Sequence, residues 1–124
     1  KNKHTIVCCG HSLGGAVATL AAYALAERGY KVEHYTYGSP QVGNKAFKDA
    51  FTKLVPRAWR FVNSNDIVVR SVPDILSFHH VGTLMMIKQE RDTSIAAHGT
   101  QQYVDGIKSG KYDASRFTIC KSKR

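Results

Sequence analysis

Thr5-Ile6-Val7-Cys8-Cys9-Gly10-His11-Ser12-Leu13-Gly14-Gly15 joins a β-branched run to an alanine-rich stretch, and at its centre lies the pattern Gly-x-Ser-x-Gly. That pattern describes a sharp strand-to-helix turn in which the serine is held in a strained backbone conformation, its hydroxyl projecting from the top of a parallel sheet. On this reading a Cβ at Gly10 or Gly14 collides with the neighbouring strand or helix as the chain reverses, with His11 and Gly15 completing the elbow around Ser12. The helix that follows points its positive dipole end at the serine.

Working outward, Leu13 to Arg28 reads as that helix and stops at Gly29, a left-handed terminator. Its small apolar surface suits close packing on a sheet. Val32 to Tyr37 reads as a second strand, broken by Gly38-Ser39-Pro40. Asn44 to Leu54 reads as a helix with Ala46, Phe47, Ala50, Phe51 and Leu54 on one face, closed by Pro56. Ala58 to Asn63 is a third strand running into the polar turn Asn63-Ser64-Asn65-Asp66. His80 to Gln89 reads as a further strand, open to a hairpin, and Thr100 to Ile107 as a short last helix. Alternating strand and helix predicts an α/β fold, a mostly parallel sheet with flanking helices that starts at the strand carrying Ser12. Residues 1–124 are expected to be one partial domain, with 110–124 a basic C-terminal tail.

At 124 residues and 43% hydrophobic, the chain can bury a core but is short for a doubly wound enzyme, and we expect it to be the C-terminal portion of a larger catalytic domain. The formal charge of +9 is spread along the chain, and only Lys121-Ser122-Lys123-Arg124 is a local cluster. No nucleic-acid element emerges from that distribution, although a basic surface favours approach to anionic lipid interfaces. Neither a signal peptide nor a transmembrane run is visible, and no metal or cofactor is expected. Cys8 and Cys9 point to opposite sides of one strand and read as small buried residues, while Cys120 is a free thiol or the partner of a cysteine elsewhere.

A serine nucleophile needs a base to take its proton and a carboxylate to hold that base in the right tautomer. Of the nine acidic residues, Asp66 directly follows a strong strand, in a turn whose donors can fix a carboxylate at the active face; the alternative is an Asx turn that shapes the loop. Asp74, after Pro73, is the second candidate. Among six histidines, His4 precedes the first strand, His34 lies within a strand, and His11 is expected to direct its side chain away from Ser12. His79-His80 opens a strand, with one of the pair bonded to a loop carbonyl. His98, in Ala96-Ala97-His98-Gly99-Thr100, sits in a small-residue loop before the last helix, from which an imidazole can reach Ser12 across the strand ends. His98 is the favoured base, ahead of His80.

Four stretches taken in order resemble the class 3 lipases, the fungal lipase-like α/β-hydrolases. They are Gly10-His11-Ser12-Leu13-Gly14-Gly15-Ala16; Tyr37-Gly38-Ser39-Pro40-Gln41-Val42-Gly43-Asn44 with Phe47; Phe61-Val62-Asn63-Ser64-Asn65-Asp66-Ile67-Val68 leading to Pro73; and His98 with Tyr103 five residues later. The resemblance covers roughly residues 4–107. It implies a carboxylic ester hydrolase acting on lipid esters at a lipid–water interface through a Ser12, Asp66, His98 triad and an acyl-enzyme, secreted or peripheral to a membrane. The backbone N–H of Leu13 would be one oxyanion donor, and His80 would match the family's structural histidine. The family's second oxyanion donor and its lid precede the nucleophile, so the 124-residue piece alone is expected to be poorly soluble or nearly inactive. Where relatives often place a proline soon after the valine, this chain reads Ile67-Val68-Val69-Arg70-Ser71-Val72-Pro73. The competing readings are a feruloyl esterase or phospholipase on the same scaffold, and a catalytically incomplete lipase-like binding protein.

Overall fold

The computed structural model describes residues 3–88 and 95–110, save the side chain of Asp74. Strand β1 (Thr5–His11) leads through Ser12 into helix α1 (Leu13–Glu27), and β2 (Lys31–Tyr37) returns beside it. A two-residue strand β3 (Gly43–Asn44) precedes α2 (Lys45–Leu54), then come β4 (Arg57–Asn63), single 3-10 turns at Val68–Arg70 and Asp74–Leu76, a second two-residue strand β5 (Phe78–His79) and β6 (Thr83–Ile87). A further 3-10 turn, Ala96–His98, opens onto α3 (Thr100–Ser109). The main sheet has the order β1-β2-β4-β6, and every neighbouring pair is parallel.

Two features of the expected strand at 80–89 are corrected. It is confined to Thr83–Ile87, with Gln89 outside the described residues, and it runs parallel to β4 instead of forming a hairpin. The chain between β4 and β6 travels back along the sheet through Pro73 and the 3-10 turns, so Thr83 enters beside Trp59. On the way β5 pairs antiparallel with β3, so His79 ends that ribbon and does not open a sheet strand.

Side-chain alternation divides the sheet into two faces. On one, Val32 of β2 and Ala58 of β4 meet Ala22 and Ala26 of α1, Phe51 and Val55 at the end of α2, and Val81. Asn44 caps α2 by accepting from the Phe47 N–H at 3.0 Å, which points Phe51 inward; Leu54, expected on that face, is half open to solvent. On the other face Tyr35 stacks on Trp59 and Tyr37 on Phe61, at 5.0 and 5.2 Å between ring centroids. Helix α3 covers the end of this face: its Tyr103 hydroxyl accepts from the Asn63 N–H, and Gly106 lies against Ile87.

The burial expected around β1 is only partly present. Cys8 is half-buried, but Cys9 is exposed, as is Val7 two residues earlier, because among the described residues β1 pairs on one side only and α1 covers its other face. Helix α1 buries Gly15, Ala18, Thr19, Ala22 and Ala26 against the sheet, whereas Val17 and Leu20 face outward and are more than half exposed. Glu90, Asp92, Asp113, Cys120 and the tail beyond Gly110 lie outside the described residues. No helix among the described residues is long and apolar enough to cross a membrane.

His34 is fully buried in β2. It donates from Nε2 to the Thr19 hydroxyl (3.0 Å), whose own proton goes to the Gly15 carbonyl, and its ring meets Phe51 edge-on. Burial holds its pKa down to about 4, against 6.5 for a free imidazole. Between those values the unfolded chain binds a proton that the folded chain refuses. Stability is therefore full above pH 6.5 and falls as the pH drops toward 4, by up to about 1.4 kcal/mol per pH unit for this group. Urea midpoints at pH 7 and pH 4.5 check this: His34→Phe should flatten the dependence, and an unchanged slope would refute the assignment.

Candidate active site

The expected site residues gather at the C-terminal edge of the parallel sheet, one of them turned otherwise than its place beside Ser12 implies. Ser12 bridges β1 and α1 at φ 57°, ψ −128°, a positive-φ conformation that costs a non-glycine residue about 1–3 kcal/mol. Its N–H donates to the Tyr37 carbonyl at the end of β2 (3.0 Å), tying the elbow to the neighbouring strand. A Cβ on Gly10 would come within 2.2 Å of the Gly14 carbonyl oxygen. For Gly14 the steric expectation is corrected, since nothing lies within 4 Å of its Cβ position; the second close approach is at Gly15, 2.7 Å from the Ser39 Cβ.

Asp66 sits three residues past the end of β4. Its Oδ1 accepts from the Val68 N–H at 2.9 Å, which is an Asx turn, while Oδ2 accepts from His98 Nδ1 at 2.9 Å and from the Tyr103 hydroxyl at 2.5 Å. The loop-shaping role and the role as partner of a histidine thus belong to different oxygens of one carboxylate. The substituted loop Ile67–Ser71 does not prevent this; Val68–Arg70 simply folds as a 3-10 turn. Asp74 lies in the next turn, after Pro73.

His98 ends the 3-10 turn before α3. Its Nε2 lies 2.6 Å from the Ser12 Oγ, so Ser12, His98 and Asp66 form one hydrogen-bonded line across residues 86 and 32 positions apart in sequence. A carboxylate only accepts, which places the imidazole proton on Nδ1 and leaves the Nε2 lone pair for the serine hydroxyl. The Asp66 side chain is fully buried, whereas 17% of the His98 side chain remains open. Leu13 begins α1, where backbone N–H groups lack partners inside the helix and the helix dipole is positive.

The exception is His11. Expected to turn away from the site, its ring instead lies 4.8 Å from that of His98, and it bonds the His98 carbonyl oxygen. With Tyr37, Tyr103, Val104 and Ile107 it also lines a largely apolar cavity of about 330 Å³. His80 stands elsewhere, in a narrow polar cavity with Thr19, Thr36, Ser39 and Arg60. Burial and the Arg60 cation push its pKa down to about 4, against a hydrogen bond to the Val69 backbone, which matches a structural histidine held by a loop.

Tyr103, which the sequence places five residues after His98, is a further member of the site. The structure puts its hydroxyl between Asp66 Oδ2 and the Asn63 N–H (3.2 Å), and burial followed by the Asp66 carboxylate pushes its pKa well up. The signal was available: a side chain in the first turn of a helix leans back toward the N-terminus, here toward His98. Asn63, also unassigned, donates from Nδ2 to the Ala97 carbonyl at 2.8 Å. Among the described residues no cluster of His, Cys, Asp and Glu could hold a metal ion.

The family model described as lipase (class 3) matches residues 1–75. A secreted mono- and diacylglycerol lipase of Fusarium solani is 43% identical over 74 residues, covering 60% of this chain and 22% of its own length. Phospholipase A1-II 6 of Oryza sativa subsp. japonica is 30% identical over 139 residues, covering 93% of this chain and 34% of its own. Among solved structures, a triacylglycerol lipase whose catalytic centre is described as a serine protease triad superposes with a TM-score of 0.64 at 36% identity, covering 68% of this chain and 34% of that one. The chain thus spans between about a fifth and a third of the length of these relatives. With the parallel sheet, the elbow and the ordered motifs, these matches show that the chain belongs to the class 3 lipase family and has the α/β-hydrolase fold.

Proposed function

We propose that the protein carrying this chain hydrolyses carboxylic esters of lipids, acylglycerols foremost, with Ser12 as nucleophile, His98 as general base and acid, and Asp66 as the group that orients His98. The observation that carries this reading is the hydrogen-bonded line Ser12 Oγ–His98 Nε2–Asp66 Oδ2 at a strained elbow. His98 Nε2 takes the serine proton as Oγ bonds the ester carbonyl carbon. It then gives that proton to the leaving alcohol, forming the acyl-enzyme, and afterwards activates water to release the fatty acid. The Leu13 N–H is proposed as one oxyanion donor, with the second supplied by residues outside this chain; each such donor is worth about 10²- to 10³-fold in turnover.

A lipid substrate is supported by the surroundings of the three residues. Leu13 follows Ser12 and is 73% exposed, Ile67 follows Asp66, and Ile95, three residues before His98, is 75% exposed. Each site residue thus has a bare aliphatic neighbour, an arrangement suited to an acyl chain. A phospholipase on the same scaffold is the second reading, supported by the plant phospholipase A1 match over most of the chain. Relative rates on triacylglycerol emulsion, diacylglycerol, phosphatidylcholine vesicles and a feruloyl ester separate these readings.

In the full-length protein, Ser12→Ala and His98→Ala should lower kcat by at least about 10⁴-fold, and Asp66→Asn by about the same through the wrong tautomer. A fluorophosphonate probe should label wild type and not Ser12→Ala. Absence of labelling in wild type would favour the binding-protein reading, and retained activity in His98→Ala with loss in His80→Ala would move the base to His80. Tyr103→Phe should cost about 1.5–3 kcal/mol of stability, because it strips a buried carboxylate of a donor. It should also lower kcat about tenfold, equivalent to about 1.4 kcal/mol in orienting His98. Denaturant midpoints and initial rates on a short-chain ester measure both.

A further inference from the structure

His98 is the most weakly rooted member of the site. Ser12 stands at the junction of a strand and a 15-residue helix, and Asp66 is fully buried with three donors on its carboxylate. His98 rests on a single 3-10 turn, closed by His98 N–H to Ile95 O and Gly99 N–H to Ala96 O, both at 3.1 Å. Two consecutive carbonyls of that turn are gripped from the sheet. Asn63 at the end of β4 donates to the Ala97 oxygen at 2.8 Å, and His11 at the end of β1 reaches the His98 oxygen at 2.6 Å.

A carbonyl can only accept, so Nε2 of His11 carries its ring proton, and Nδ1 has its lone pair toward the Thr100 hydroxyl at 3.4 Å. The ring lies over that of His98 at 4.8 Å and meets Tyr103 edge-on at 5.7 Å. One side chain therefore links the residue before Ser12 to the main chain of His98, independently of the serine–histidine bond itself. We propose that His11 is a positioning residue for the base: its Nε2–H···O=C bond fixes the His98 turn at the distance from Ser12 that proton transfer needs. This rests on the roles given to Ser12 and His98 above.

The geometry separates the bond from the ring. In the full-length protein His11→Phe keeps an aromatic ring against His98 and removes the donor, while His11→Gln places an amide N–H near the position of Nε2 and removes the ring. His11→Phe should lower kcat about 10- to 100-fold on a soluble short-chain ester with KM nearly unchanged, the scale of loss for a reacting group displaced by a fraction of an ångström. His11→Gln should stay within about threefold of wild type on the same scale. The downfield proton resonance of His98 Nδ1–H, bonded to Asp66, reads the same event without turnover: it should shift or broaden in His11→Phe and persist in His11→Gln. Should His11→Phe fail to fold, His11→Asn, whose amide is too short to reach the carbonyl, tests the same loss. Full kcat in a folded variant lacking the donor, or failure of Gln to restore kcat and the resonance, overturns the proposal. A wild-type protein that turns over no ester but shows the resonance respond as described overturns the enzymatic reading and leaves the strut intact.

Discussion

The carboxylate of Asp66 is the point on which the upper edge of the molecule converges. A buried carboxylate without donors costs several kcal/mol, so its partners must arrive together as the fold closes. One is local, the Val68 N–H; the other two, His98 and Tyr103, come from more than thirty residues along the chain. Satisfying this one group brings α3 to the end of β4, because the Tyr103 hydroxyl that donates to Asp66 also accepts from the last residue of that strand. The close fit shows at Gly38, where a side chain would meet both Asp66 Oδ2 and the Tyr103 hydroxyl at 2.8 Å and where φ is +60°.

The strained serine depends on a different kind of support. A residue at positive φ persists only when its surroundings over-determine it. Here the Gly10–Gly14 approach and the start of α1 do so within a few residues, and one backbone bond to Tyr37 at the end of β2 adds to them from the neighbouring strand. The elbow is thus mostly local in origin and the Asp66 assembly is not. That difference decided what could be read from the sequence. Gly10 to Gly15 announce the turn and its conformation because most of its constraints lie within one short stretch, the Tyr37 bond and the Gly15–Ser39 approach being the long-range ones. Asp66 and His98 were accessible through their places after a strand and before a helix, which parallel topology converts into a shared edge.

What escaped was set by contacts that no local pattern encodes. Two-residue strands such as β3 and β5 carry no periodicity, so their pairing could not be seen and β6 was open to a hairpin. Cys9 reads as core because strands of a parallel sheet are normally covered on both faces, whereas among the described residues α1 covers one face of β1 and nothing covers the other at Cys9. His11 was misdirected for a related reason: alternation puts it on the face of Val7 and Cys9, opposite α1, but only the arrival of α3 on that face gives the ring something to bond. Gly14 was given a steric duty that belongs to Gly15, since the pattern fixes where glycines stand and not which neighbour each must avoid.

The division of labour around His98 follows from the work proposed for it. A base that accepts and returns a proton in each half-reaction needs a fixed ring position and a free Nε2 edge. Holding it by its ring would consume that edge or bury it; holding it by its main chain does neither. Here the ring donates one anchoring bond, from Nδ1 to Asp66, and keeps Nε2 for the Ser12 hydroxyl, while the carbonyls on its turn take donors from two different strands. The opposite balance holds for Asp66, buried and tied through both oxygens. An orienting acid gains from immobility, whereas the base keeps a partly open ring beside the hydroxyl it must deprotonate and the space where an ester would enter.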